Sequence, residues 1–222
     1  MAPSITIVTV LFSIATISRA QIYIPSEMRC PPAKAIQDFS EKDFMGTWYE
    51  VASSPILIET FAEDVSFKFT KGKSTTTVIL DMKSSSEKTQ FHGYMKPLLE
   101  NNINGQYSLT FDKIVESKNG VSAYNFSADF MILKTDYKSY AAVWSCDIEN
   151  VGGQNMAKYM AWILSRSREL DDTSFVEASM ALSDVYAFPY QLKYTIQHSG
   201  TARHLASFIC TIITIVILSA VS

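Results

Sequence analysis

The apolar residues follow one period through most of the chain and another near its end. In Asp64-Val65-Ser66-Phe67-Lys68-Phe69-Thr70 they fall at 65, 67 and 69, the alternation of a strand with one buried face. Lys71-Gly72-Lys73 reads as a turn, and residues 75–82 place Val78, Leu80 and Met82 on one side. Residues 83–88 form a polar turn. A third run, 89–95, stops at Pro97, and Tyr107-Ser108-Leu109-Thr110-Phe111 alternates cleanly. After the turn at Lys118-Asn119-Gly120, Phe126, Ala128, Phe130 and Ile132 alternate with polar positions up to Thr135. Asp136-Tyr137-Lys138 turns the chain into residues 140–146, Gly152-Gly153 breaks it, and 157–164 is the last such run.

An earlier strand begins at Gly46-Thr47-Trp48, after one short helical turn expected within 36–44. Ser53-Ser54-Pro55 ends that strand, and 56–63 reads as a loop. The expected strands number eight. Past them the period changes: Phe175, Ala178, Ser179, Leu182, Val185 and Tyr186 recur at helical spacing. Ser174 with Glu177 has the form of a capping box, Asp171-Asp172 suits a helix N-terminus, and Pro189 ends the helix.

Eight consecutive antiparallel strands with short turns can close on themselves, which removes exposed edges. The expected fold class is all-β: an eight-stranded up-and-down antiparallel β-barrel with a C-terminal α-helix packed on its outside. At this strand number the interior either fills with side chains or holds one small ligand. The competing two-sheet sandwich of immunoglobulin type needs paired cysteines on facing strands; here Cys30 precedes the first strand and Cys146 lies in the seventh.

Composition changes this picture little, but the two ends change it considerably. The formal net charge is −3, with no cluster of Lys and Arg, so nothing points to nucleic acid. Residues 5–17 are an apolar run of signal-peptide length, and Ser18-Arg19-Ala20 places small residues where a signal peptidase cuts. The alternative is a buried N-terminal strand. Residues 205–221 are again apolar, preceded by the small residues Ser199-Gly200-Thr201. That order reads as a GPI-attachment signal with Ser199 as the attachment residue, although Ala202-Arg203-His204 is a short spacer. A tail-end membrane helix is the alternative, and Arg203 and His204 stand on the wrong side of it for the positive-inside rule. The expected organisation is a signal peptide at 1–20, one domain at 21–199 and a removed attachment signal at 200–222. The protein is then extracellular, secreted or held at the cell surface.

Of three cysteines, Cys210 lies in the tail, which leaves Cys30 and Cys146 as a pair in an exported chain. A bridge between them closes a loop that the chain-entropy model values at roughly 4–5 kcal/mol; two free thiols are the alternative. Asn125-Phe126-Ser127 is the one glycosylation sequon, with Asn125 as acceptor. No Gly-x-Ser-x-Gly, paired-His metal spacing or phosphate loop occurs, and an oxidised cysteine pair offers no thiolate, so no catalytic residue, no metal site and no cofactor is assigned. His92, on an expected strand, could ligate haem, but a lone strand histidine is more often surface or core.

Three blocks together resemble the lipocalin family. They are Gly46-Thr47-Trp48 at the first strand, the stretch from Leu133 to Cys146 containing Thr135-Asp136-Tyr137, and Ala161-Trp162-Ile163-Leu164-Ser165-Arg166 at the last strand. Within the family the second and third blocks look like the apolipoprotein D-like and insect Lazarillo-like group, and the tail looks like the Lazarillo side of it. The resemblance implies that Gly46, Trp48, Thr135, Asp136, Tyr137 and Arg166 shut one end of the barrel, with Arg166 lying over the Trp48 ring. It also implies the Cys30–Cys146 bridge. Apolipoprotein D-like proteins carry a second bridge that pins the C-terminal segment. This chain has no cysteines for it, which puts the path of 190–198 in question.

The resemblance implies a small hydrophobic ligand: a retinoid, fatty acid, sterol, bilin or pheromone-like lipid. By alternation the lining would be Val65, Phe67, Phe69, Val78, Leu80, Leu109, Phe111, Phe130 and Ile132, unless a bulge turns some of them outward beneath the helix. Strict alternation also puts Glu50 on the face of Trp48, which demands a bulge or a polar rim. The functional expectation is a membrane-anchored lipocalin that binds and carries or presents such a ligand. A cell-surface adhesion or guidance protein using the barrel as a scaffold is the second expectation.

Overall fold

The computed structural model describes residues 23–24, 30–54, 62–73, 75–84, 87–98, 104–117, 120–151, 153–185 and 192–198. The expected signal peptide, Ser199 and the apolar tail lie outside them. The chain order is β1 (Tyr23–Ile24), α1 (Glu41–Phe44), β2 (Gly46–Ser53), β3 (Ala62–Lys71), β4 (Thr76–Ser84), β5 (Glu87–Pro97), β6 (Gln106–Ser117), β7 (Gly120–Thr135), β8 (Tyr140–Val151), β9 (Gln154–Ser165), α2 (Asp172–Ser183) and β10 (Lys193–Tyr194). Strands β2 to β9 pair antiparallel with their sequence neighbours, and β9 returns to pair with β2, so the eight strands close into a barrel. β1 and β10 are two-residue additions, on β9 and β2 respectively.

Alternation sorts the apolar residues into two cores. On β8, Ala141 and Val143 belong to the barrel interior, whereas Ala142, Trp144 and Cys146 belong to an outer cluster beneath α2. α2 supplies Ala178 and Leu182 to that outer cluster. The disulfide joins Cys30 to Cys146 with a Cα separation of 5.7 Å, tying the segment before the barrel to β8.

Several boundaries differ from the sequence reading, each for a local reason. Only Glu41–Phe44 is helical. Residues before it run across the barrel end instead, where Ile36 exchanges backbone hydrogen bonds with Ile132 and Gly105. α2 is capped by the Asp171 side chain, which accepts from the Ser174 N–H, so the capping box expected at Ser174 is not formed. Glu177 pairs instead with Lys134 of β7. α2 also ends at Ser183, six residues before Pro189.

Register breaks lie where strands must bend. One falls between Glu63 and Ser66, where Asp64 has φ of 52°, and another between Glu50 and Ala52. The second resolves the Glu50 question. Glu50 faces Leu164 of the interior, but Ala52 faces Ile163 of the outer cluster, so two successive residues, Val51 and Ala52, turn outward.

At these two breaks β2 and β3 separate, and residues 192–198 fill the seam. Thr195 N–H donates to Val51 O and Asp64 N–H to Ile196 O. The Gln197 side-chain amide donates to both Glu50 O and Val65 O at 2.8 Å, replacing ladder bonds that the bulges interrupt. The C-terminal segment is thus held by hydrogen bonding.

Candidate functional site

The end of the barrel near α1 is closed by side chains. Gly46 enters β2 with φ of 101°, a conformation L side chains rarely adopt, and a Cβ there would stand 3.2 Å from Arg166 Nη1. Trp48, fully buried, donates its indole N–H to Phe44 O at 2.8 Å. The Arg166 guanidinium lies 3.8 Å from the Trp48 ring centroid. Its nitrogens donate to Tyr137 O, Thr47 O and Asp43 O at 3.1, 3.1 and 2.8 Å. Burial lowers the Arg166 pKa, opposed by the charge of Asp136.

The Thr135-Asp136-Tyr137 turn is built for this junction. One Asp136 carboxylate oxygen accepts from the N–H groups of Lys138, Ser139 and Tyr140. Burial pushes the Asp136 pKa up, and these backbone bonds more than reverse it, so it stays below the usual carboxylate value. Thr135 Oγ1 donates to Tyr140 O and accepts from Tyr137 N–H, and Tyr137 takes φ of 64°. Arg166, Trp48, Gly46 and this turn are therefore brought together.

Above that floor stands an aromatic column. Phe44 stacks on Trp48 at 4.9 Å between centroids and meets Phe69 at 5.2 Å; Phe69 meets Phe130 at 5.9 Å, and Phe130 meets Trp162 at 6.0 Å. Phe67, Phe69, Val78, Leu80, Leu109, Phe111, Phe130 and Ile132 all face the interior with Val65, each at most 2% exposed. None turns outward beneath α2. His92 is exposed on β5, away from this interior. Asn125 sits in β7 opposite Asp112 of β6.

Alternation applied to apolar residues alone passes over the polar groups that share the interior. Glu50 faces Leu164, Ser53 faces Trp162, and Ser145 alternates with the inward-facing Val143. All are buried, Glu50 at 1% and Ser145 at 0%. Thr195 Oγ1 donates to the Glu50 carboxylate. Ser145 Oγ and Trp162 Nε1 have no hydrogen-bond partner among the described residues. Leaving a buried donor unmatched costs about 1–3 kcal/mol. The signal for Ser145 was present in the alternation of 140–146, and that for Glu50 in its alternation with Trp48. Among the described residues no group of three His, Cys, Asp or Glu side chains is placed to hold a metal ion, and no helix is long and apolar enough to cross a membrane.

The comparisons with known proteins agree with this architecture. The family model described as Triabin matches residues 20–158. The Lazarillo protein of Schistocerca americana is 30% identical over 144 residues, covering 64% of this chain and 62% of that protein. The bilin-binding protein of Pieris brassicae is 27% identical over 164 residues, covering 72% and 79%. Among solved structures, insecticyanin from the tobacco hornworm Manduca sexta superposes with a TM-score of 0.63 at 23% identity, covering 78% of this chain and 87% of that one.

Proposed function

The chain belongs to the Triabin family, whose lipocalin-type barrel it shares, and from that premise we propose that it binds a small hydrophobic molecule inside the barrel and carries or presents it outside the cell. The observation that carries this reading is the interior itself: a floor shut by Trp48 and Arg166 beneath an apolar, aromatic-rich wall. A relative named for bilin binding is consistent with it. In this reading Phe67, Phe69, Val78, Leu80, Leu109, Phe111, Phe130 and Ile132 supply buried apolar area, each contact non-directional and together sizeable. Titrating apolar fluorescent ligands into the purified secreted protein tests it. The folded protein takes up at least one of them or yields an extractable lipid; uptake of none, with no lipid extracted, ends the proposal.

Anchoring is the second component. The apolar run 205–221 behind Ser199-Gly200-Thr201 supports a GPI anchor on the plasma membrane. Phosphatidylinositol-specific phospholipase then releases the protein from cells. Retention, with the 205–221 peptide still in the mature chain, identifies a membrane helix instead.

Close packing of the interior favours a second reading, in which the barrel is a scaffold for cell-surface adhesion. Leu109→Trp separates the two. It abolishes activity if a ligand must enter and spares it if only the outer surface matters.

A further inference from the structure

Among the described residues, the interior wall formed by β8 and β9 carries two buried polar atoms without a hydrogen-bond partner, Ser145 Oγ and Trp162 Nε1. Ser145 points inward, because its neighbours Trp144 and Cys146 point to the outer cluster. Trp162 is inward too, in contact with Phe130. Val143 pairs with Trp162 and Ser145 with Met160, which makes Ser145 and Trp162 diagonal neighbours on one face, within reach of an aromatic side chain. Neither polar atom has a partner among the described residues.

The chemistry of these two groups restricts what can meet them. An indole N–H only donates, and a serine hydroxyl can donate. A group that satisfies both must therefore be an acceptor. The charge of that acceptor is also constrained. Among the described residues the buried polar and charged set contains no Lys, Arg or His, and its one charged type is Glu50. Glu50 faces Leu164, two residues from Trp162 on the same interior face. A ligand carboxylate would enter without a cation to pair with and near an acidic side chain, an unfavourable burial. A neutral carbonyl oxygen accepts the same two hydrogen bonds without that penalty. Met160, opposite Ser145, is unbranched and adaptable, so it is the side chain best able to move aside for it.

We propose that Ser145 and Trp162 form the polar anchor of the barrel interior and select apolar molecules carrying a neutral carbonyl, such as an ester or ketone, over free fatty acids. The inference rests on the ligand-binding reading above.

The test is displacement of N-phenyl-1-naphthylamine from the mature protein purified from cells expressing the full chain, using methyl dodecanoate, dodecanoate and dodecane. The ester displaces the probe about tenfold more tightly than either of the others, and Ser145→Ala and Trp162→Phe each reduce the ester-to-alkane affinity ratio about five- to tenfold. Circular dichroism checks the fold, and Ser145→Ala, which changes little volume, carries the test if Trp162→Phe unfolds. Dodecanoate binding as well as the ester, or an unchanged ratio in the folded variants, overturns the anchor while leaving the binding reading intact. Failure of the folded protein to take up the probe or any competitor removes both.

Discussion

Arg166 joins two segments distant from it in sequence, accepting no bonds and donating to carbonyls of residues 43 and 47 in one and 137 in the other. A lysine cannot reproduce the planar fork or lie flat on Trp48. Arg166→Ala is expected to cost about 2–4 kcal/mol, from lost hydrogen bonds and a cation–π contact together. Arg166→Lys recovers only part of this in chemical denaturation. Gly46→Ala acts on the same junction by strain, since both its φ of 101° and the 3.2 Å approach to Arg166 oppose a methyl group; a loss of about 1–3 kcal/mol is expected.

Asp64 is another residue whose charge matters. Burial raises its pKa, but the backbone N–H and ring of His198 and the Arg168 guanidinium outweigh this, so the folded value lies below the ordinary 3.8. A depressed carboxylate contributes stability above its unfolded pKa and loses it as pH falls through the folded pKa. Asp64→Asn is therefore expected to lower stability at neutral pH and to reduce the loss seen on acidification below 3.8, measured by denaturation across that range.

Among the elements, the C-terminal segment is the one with a role that strand counting misses. Residues 192–198 stand in a seam that two bulges open between β2 and β3, and Gln197 bridges the two strands with its side chain. Gln197→Ala is expected to speed hydrogen exchange at the Asp64 N–H, which donates to Ile196 O, while leaving exchange in β8 and β9 unchanged. Equal acceleration across the barrel would mean global destabilisation instead. α2 was legible as a helix from its period, but its cap was not. Ser174 and Glu177 have the right spacing for a capping box, and Asp171 with Lys134 takes their places because β7 presents a lysine to the helix.

For the whole molecule, the disulfide and the closed sheet are the main constraints. Cys30 and Cys146 are separated by 116 positions, so the bridge restricts the unfolded chain over much of its length. Replacing both by serine is expected to lower stability by about 3–5 kcal/mol, seen as a lower denaturation midpoint with the barrel's far-ultraviolet signal retained in the absence of denaturant. The barrel is also why the interior lining could be read early. In a closed sheet a period of two has one meaning, inward or outward, and Phe67, Phe69, Val78, Leu80, Leu109, Phe111, Phe130 and Ile132 all obey it.

Local pattern therefore determined the number of barrel strands, the helix after them, the turn at Asp136 and the identity of the apolar wall, because each depends on neighbours two to four positions away. What only the tertiary structure decided depends on residues that meet from a distance. The bulge after Glu50 turns both Val51 and Ala52 out. The seam between β2 and β3 sets the path of 192–198, since it exists only where two separate register breaks coincide. Closure of β9 onto β2 and pairing of β9 with β8 place Ser53, Trp162 and Ser145 on one inner surface. Backbone hydrogen bonding across strands carries no local sequence signal, so which of these polar groups become neighbours emerges only when the barrel has closed.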